Sequence, residues 1–145
     1  MFDMIDKGAN VVRSHQLLLL PDSVMYTKDY RQKYKMETRF RLQPKCFGNY
    51  NLYGESFSCA EIDELCVTNS TMPYEDYLKC RLLDLTVEIF YNNGVFKEYI
   101  SLLRRHNILA SALIKKINEE IPNSPLKEFY AGFFKENEKS LWKNK

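Results

Sequence analysis

Four consecutive leucines, Leu17 to Leu20, closed by Pro21-Asp22-Ser23, constrain the fold of this chain more than any other stretch. An apolar run without alternation reads as a strand, about Ser14 to Leu20, covered on both faces as inside a parallel sheet. Such a strand needs neighbours on each edge and helices over each face. Sixteen residues precede the run and no later segment repeats it. The strand is therefore expected to be orphaned from a larger sheet, and the chain to be a piece of a bigger protein. Pro21 ends the strand, because proline has no amide hydrogen for a central ladder.

Around that strand the pattern is mainly helical. Residues 1 to 10 read as the tail of a helix, with Phe2 and Ile5 on one side and Gly8 near its end. Thr27 to Lys35 reads as a short helix capped by Thr27, its Tyr26, Tyr30 and Tyr34 spaced to form a packing face. Residues 37 to 69 change character. Thr38 to Leu42 alternates polar and apolar like a half-exposed strand, and Glu61 to Val67 is the next expected strand. Pro44, Gly48 and Gly54 are expected to break the stretch between them into turns.

From Thr71 onward four amphipathic helices are expected. The first is capped by Ser70 or Thr71, has Pro73 at its start and runs to Asn92-Asn93-Gly94. The second spans Val95 to Arg105 with Phe96, Tyr99, Ile100 and Leu103 inward. The third spans Ile108 to Ile121. The fourth opens at Ser124-Pro125, carries Leu126, Phe129, Tyr130, Phe133 and Phe134 as its stripe, and frays at a Lys/Glu-rich end. The fold class is thus α+β and mainly helical: residues 1–36, a β-rich connector over 37–70, and a C-terminal helical extension over 71–145 that packs as a bundle.

Composition excludes several classes. A 45% apolar and 14% aromatic content supports a real core. No apolar run approaches the roughly 20 residues of a membrane span. Met1 to Asp6 lacks the basic start of a secretory signal, so a cytoplasmic location is expected. Cys46, Cys59, Cys66 and Cys80 include no Cys-x-x-Cys pair, so reduced, packing thiols are expected rather than a zinc site.

From Lys28 to Lys45 seven basic residues stand against two acidic ones, an excess of five. The whole chain carries only +2 and no nucleic-acid-binding motif, so nucleic acid is not the expected partner. Glu61, Asp63 and Glu64 lack matching histidines and read as a solvated strand face. His106 follows two arginines at a helix end, where a cation is favourable. His15 begins the leucine strand. No phosphate-cradling glycine loop and no nucleophile elbow occurs.

The segment Leu17-Leu18-Leu19-Leu20-Pro21-Asp22-Ser23-Val24-Met25 resembles the last strand of the partial TIM barrel of radical S-adenosylmethionine enzymes, where an apolar strand is often followed by Leu-Pro-Gly-Thr-x-Met. Asp22 stands where that family has glycine, and Ser23 where it has threonine. Tyr26 to Tyr34, Thr38 to Leu42, Pro44 to Tyr50, Glu61 to Val67 and Thr71 to Leu78 continue the likeness. Together, over about residues 5 to 110, they are similar to the C-terminal third of family members with an N-terminal cobalamin-binding domain.

The resemblance implies that the complete enzyme uses S-adenosylmethionine, a [4Fe-4S] cluster and cobalamin, a set that the family often uses for methyl transfer to an unactivated carbon. It implies that residues 1–36 are a barrel remnant, and that Leu20, Pro21, Asp22 and Ser23 approach the cofactor's adenosine. The expected partner is the missing barrel and cobalamin-binding portion, in cis or as a separate chain. No Cys-x-x-x-Cys-x-x-Cys is present, so the chain by itself is expected to hold no cluster and to be inactive. The alternative is a non-enzymatic helical module that binds a protein partner.

Overall fold

Residues 55–68 form the axis of the β-containing part of this chain. The structure is a computed structural model that describes residues 1–144. It is α+β, with six α-helices and one two-stranded antiparallel sheet among the described residues. In order these are α1 (Phe2–Asp6), α2 (Lys28–Lys33), β1 (Glu37–Leu52), β2 (Glu55–Thr68), α3 (Tyr74–Val87), α4 (Lys97–Arg105), α5 (Ala110–Glu120) and α6 (Lys127–Lys139). A π-helical turn, Glu88–Asn92, continues α3. The chain divides into two compact units. One joins Met1–His15 to Leu78–Lys135, and the other joins Gln16–Tyr77 to Glu136–Lys145.

In the second unit β1 and β2 form one long hairpin. The expected interruption at Pro44 and Gly48 does not occur, whereas Gly54 does make a turn. A register shift between Leu42 and Phe47 absorbs Pro44, with Lys45 at φ 66°. Such a bulge leaves residues out of the ladder, which removes the objection to a proline there. Gly48 stays paired, opposite Cys59. Gly54 serves the hairpin turn, where Tyr53 and Gly54 both have positive φ (53° and 84°), as a tight two-residue connection requires.

Neither outer edge of the hairpin base is bare. Trp142 exchanges both backbone hydrogen bonds with Phe40 of β1, at 2.9 and 3.0 Å. The C-terminal segment expected to fray is therefore tied to β1. On the other side, Leu18 bridges Leu65 of β2. The Leu19 amide donates to the Glu64 carbonyl at 2.8 Å, and the Cys66 amide to the Leu17 carbonyl at 2.9 Å. The leucine run thus makes one isolated bridge rather than a strand from Ser14 to Leu20.

Burial differs from expectation in the same place. Leu19 is 3% exposed, but Leu17 and Leu18 are each 38% exposed and Leu20 61%. The stretch covered on both faces is instead Leu65-Cys66-Val67, consecutive β2 residues of which none exceeds 2% exposure. Of the four free thiols only Cys66 packs in the interior, while Cys59 and Cys80 are exposed. Burial pushes the Cys66 thiol pKa up, and hydrogen bonding from the Thr68 backbone only partly opposes this. Raising a thiol pKa suppresses the nucleophilic thiolate. Iodoacetamide at pH 8 is therefore expected to modify Cys59 and Cys80 in the native chain and Cys66 only after denaturation, as peptide mass mapping reads out.

The helical unit closes around Ile5, Val12, Val87, Tyr91, Ile100, Ala110 and Ile114. Polar side chains fasten its N-terminal segment. Asn92 bonds both the amide and the carbonyl of Val12, at 2.9 Å each. Asp6 accepts from the Ser111 amide at 2.8 Å and its hydroxyl at 2.7 Å, near the start of α5. Arg104 reaches the Ile5 carbonyl at 2.9 Å, and the buried Tyr91 hydroxyl donates to the Ala9 carbonyl. Gly8 adopts φ 84° after α1, as a helix stop requires. Tyr99, expected inward, is half exposed.

Candidate functional site

The turn Leu20-Pro21-Asp22-Ser23 is built by a proline followed by a left-handed residue. Pro21 presets its own φ, and Asp22 follows at φ 66°. The Ser23 amide closes the turn on the Leu20 carbonyl at 3.2 Å, and the Ser23 hydroxyl donates to the same oxygen at 2.7 Å. Leu20, Pro21 and Asp22 are exposed and Ser23 is half buried. The four candidate residues therefore form one continuous turn. Among the described residues the Asp22 carboxylate has no hydrogen-bond partner or ion pair.

Asp22 occupies a backbone region where glycine is at no disadvantage and β-branched residues are strained. Asp22→Gly is expected to change stability by less than about 1 kcal/mol. Asp22→Val should lower it by about 1–2 kcal/mol, measured by urea titration followed by circular dichroism.

The leucine run before the turn has one bonded edge and one open edge. Because Leu18 and Leu65 form a non-hydrogen-bonded antiparallel pair, the Leu18 amide and carbonyl point away from β2. Among the described residues neither the Leu18 nor the Leu20 amide has a hydrogen-bond acceptor. Open donors beside half-exposed leucines make an edge that can accept another strand.

Two part-buried ion pairs fix the position of this edge. Arg31 of α2 grips Glu64 with both terminal guanidinium nitrogens, at 2.5 and 3.1 Å, and the Thr38 hydroxyl donates to Glu64 at 2.7 Å. The Glu64 hydrogen bond holds the Arg31 pKa above its ordinary value. Arg31 also donates to the Tyr26 carbonyl at 3.0 Å and lies over the Tyr26 ring. Arg41 meets Asp63, its cross-strand partner, at 3.2 Å. Arg41 also donates to Gln16, immediately before the leucines, and Gln16 donates to the Tyr77 hydroxyl.

Asp63 and Glu64 are therefore not a solvated strand face; their side chains are only 12% and 13% exposed. The basic stretch likewise spends Arg31 and Arg41 on internal partners. Tyr26 and Tyr34 are exposed rather than a packing face, although the Tyr30 and Tyr34 rings meet at 4.5 Å. Thr27 does cap α2, accepting from the Tyr30 amide at 3.4 Å.

No family model matches the chain, and no curated protein matches its sequence.

Among the described residues no group of three or more His, Cys, Asp or Glu side chains converges as a metal site. With no Cys-x-x-x-Cys-x-x-Cys either, these residues do not fit a [4Fe-4S] cluster, whose irons need convergent thiolates. His15 and His106 are exposed and stand apart in the sequence, His106 at the C-terminus of α4. No described helix is long and apolar enough to cross a membrane.

Proposed function

We propose that this chain is the C-terminal portion of a cobalamin-type radical S-adenosylmethionine enzyme and completes a barrel supplied by another polypeptide segment. Its leucine run would pair along its open edge with a strand from that segment. Leu20, Pro21, Asp22 and Ser23 would then lie at the adenosine of S-adenosylmethionine. The observation that carries this reading is the open, apolar edge at Leu18 and Leu20, ending in a turn whose third residue is left-handed. The left-handed Asp22 supports it further, since the family's motif has glycine at that position.

The chemistry of the turn is specific enough to test. Leu20 offers an apolar face to a base, and Asp22 a carboxylate able to accept from ribose hydroxyls. Ser23 is committed to the Leu20 carbonyl. Cluster and cobalamin binding belong to the other segment, so the chain alone has no radical chemistry.

The test is genetic and physical. The DNA immediately upstream of the Met1 codon is expected to encode, in frame or in a neighbouring frame, a Cys-x-x-x-Cys-x-x-Cys segment. Its product should co-purify with this chain when the two are co-expressed. Unrelated upstream sequence, together with a chain that stays monomeric and binds no such segment, would overturn the proposal. A helical interaction module is the second reading, favoured by the self-contained core around Ile114. It calls for a monomer that unfolds cooperatively on its own.

A further inference from the structure

A cleft of about 370 Å³ opens in the helical unit between α3, the end of α5 and α6. Its walls are apolar: Leu82, Ile121, Pro122, Ala131 and Phe134. A volume of this order lies at the lower end of small-molecule sites. Three exposed lysines, Lys79, Lys127 and Lys135, border it, and no acidic residue lines it. Among the described residues no ion pair engages Lys127 or Lys135.

A buried polar cluster holds the back of the cleft in place. The Thr86 hydroxyl is fully buried and lies 3.0 Å from the Leu82 carbonyl, 2.9 Å from the Asn118 side-chain oxygen and 3.1 Å from the Tyr130 hydroxyl. Thr86 has one proton to give, so Tyr130 donates to it in turn. This links α3, α5 and α6 by their side chains. Burial pushes the Tyr130 pKa up. The cleft is thus a preformed apolar slot rather than a gap between loose helices.

From this combination we infer that the cleft binds a single-chain anionic amphiphile, a free long-chain carboxylate, with its hydrocarbon between α3 and α6 and its headgroup among the lysines. Lysines keep their ammonium groups in water while their stems cover apolar surface, which suits a headgroup at the mouth of such a slot. The walls offer a neutral chain the same contacts, so the lysines supply the preference for negative charge. The inference does not depend on the barrel-completing reading, which concerns the other unit.

The test is calorimetric titration of the full-length chain with octanoate, decanoate and dodecanoate, each below its micelle concentration. One saturable site is expected, with affinity rising about tenfold for each two methylenes buried. Dodecyltrimethylammonium should bind at least tenfold more weakly. Lys127→Glu with Lys135→Glu, both at exposed positions, should weaken dodecanoate at least tenfold. Ala131→Trp should abolish binding while circular dichroism remains native. If that variant does not fold, amide shifts on the unaltered chain replace it, expected at Leu82, Ala131 and Phe134. Equal binding of the cationic amphiphile, insensitivity to the lysine changes, shifts elsewhere, or binding only to anionic phospholipid vesicles would each overturn the inference.

Discussion

Replacing Ile114 by alanine is expected to lower the stability of the helical unit by about 2–5 kcal/mol. Ile114 is 0% exposed and packs in the cluster of Ile5, Val12, Val87, Tyr91, Ile100 and Ala110. Truncation there loses the transfer free energy of the removed methylenes and leaves a cavity in a close-packed interior. Against a typical total of about 5–15 kcal/mol, that loss is enough to populate the unfolded unit at moderate temperature. Urea unfolding followed by far-ultraviolet circular dichroism measures it through the midpoint. A change under about 0.5 kcal/mol, the size of a surface substitution, would show that Ile114 is not at the centre of the core.

The second large effect belongs to Glu64→Gln. The substitution keeps shape and some hydrogen bonding but removes the charge opposite Arg31. Breaking one side of a fully buried pair costs about 3–5 kcal/mol. Here the side chains are 24% and 13% exposed, so solvent screens part of the loss and about 1–3 kcal/mol is expected. Arg31→Met combined with Glu64→Gln should recover part of the loss, because no unpaired charge is then left behind. The double-mutant cycle isolates the coupling. Additive losses would mean that the two side chains do not interact in solution.

Helices α4 and α5 were legible because their apolar periodicity is strong, and other helix ends because their punctuation is conventional: Thr27 caps α2, Gly8 follows α1, and Pro122 follows α5. The hairpin was only half legible. Pro44 and Gly48 are breakers on a local reading, yet a bulge absorbs the first, and pairing opposite Cys59 holds the second. The leucine run misled in a specific way. Uniform hydrophobicity implies two covered faces, but Leu19 alone is buried within this chain and β2 takes the doubly covered place at Leu65 to Val67.

The polar anchors were invisible for a different reason. Strand periodicity assigns a side chain to a face, whereas Glu64 finds Arg31 across 33 positions of sequence. The turn at Leu20 to Ser23 was marked by Pro21, while the left-handed φ of Asp22 needed coordinates. The apolar stripe of α6 reads as core, but Phe129 is exposed, Phe134 lines the cleft, and Tyr130 alone is buried. No periodicity separates a wall residue from a core residue.

Amide hydrogen exchange across Leu17 to Leu20, resolved by residue in the chain alone, tests most directly whether the leucine edge is open to another strand. Leu19, bonded to the Glu64 carbonyl, should exchange slowly, while Leu18 and Leu20 should exchange at rates near those of unstructured peptide. Protection of Leu18 and Leu20 equal to that of Leu19 would contradict the account, because the edge would then already be occupied.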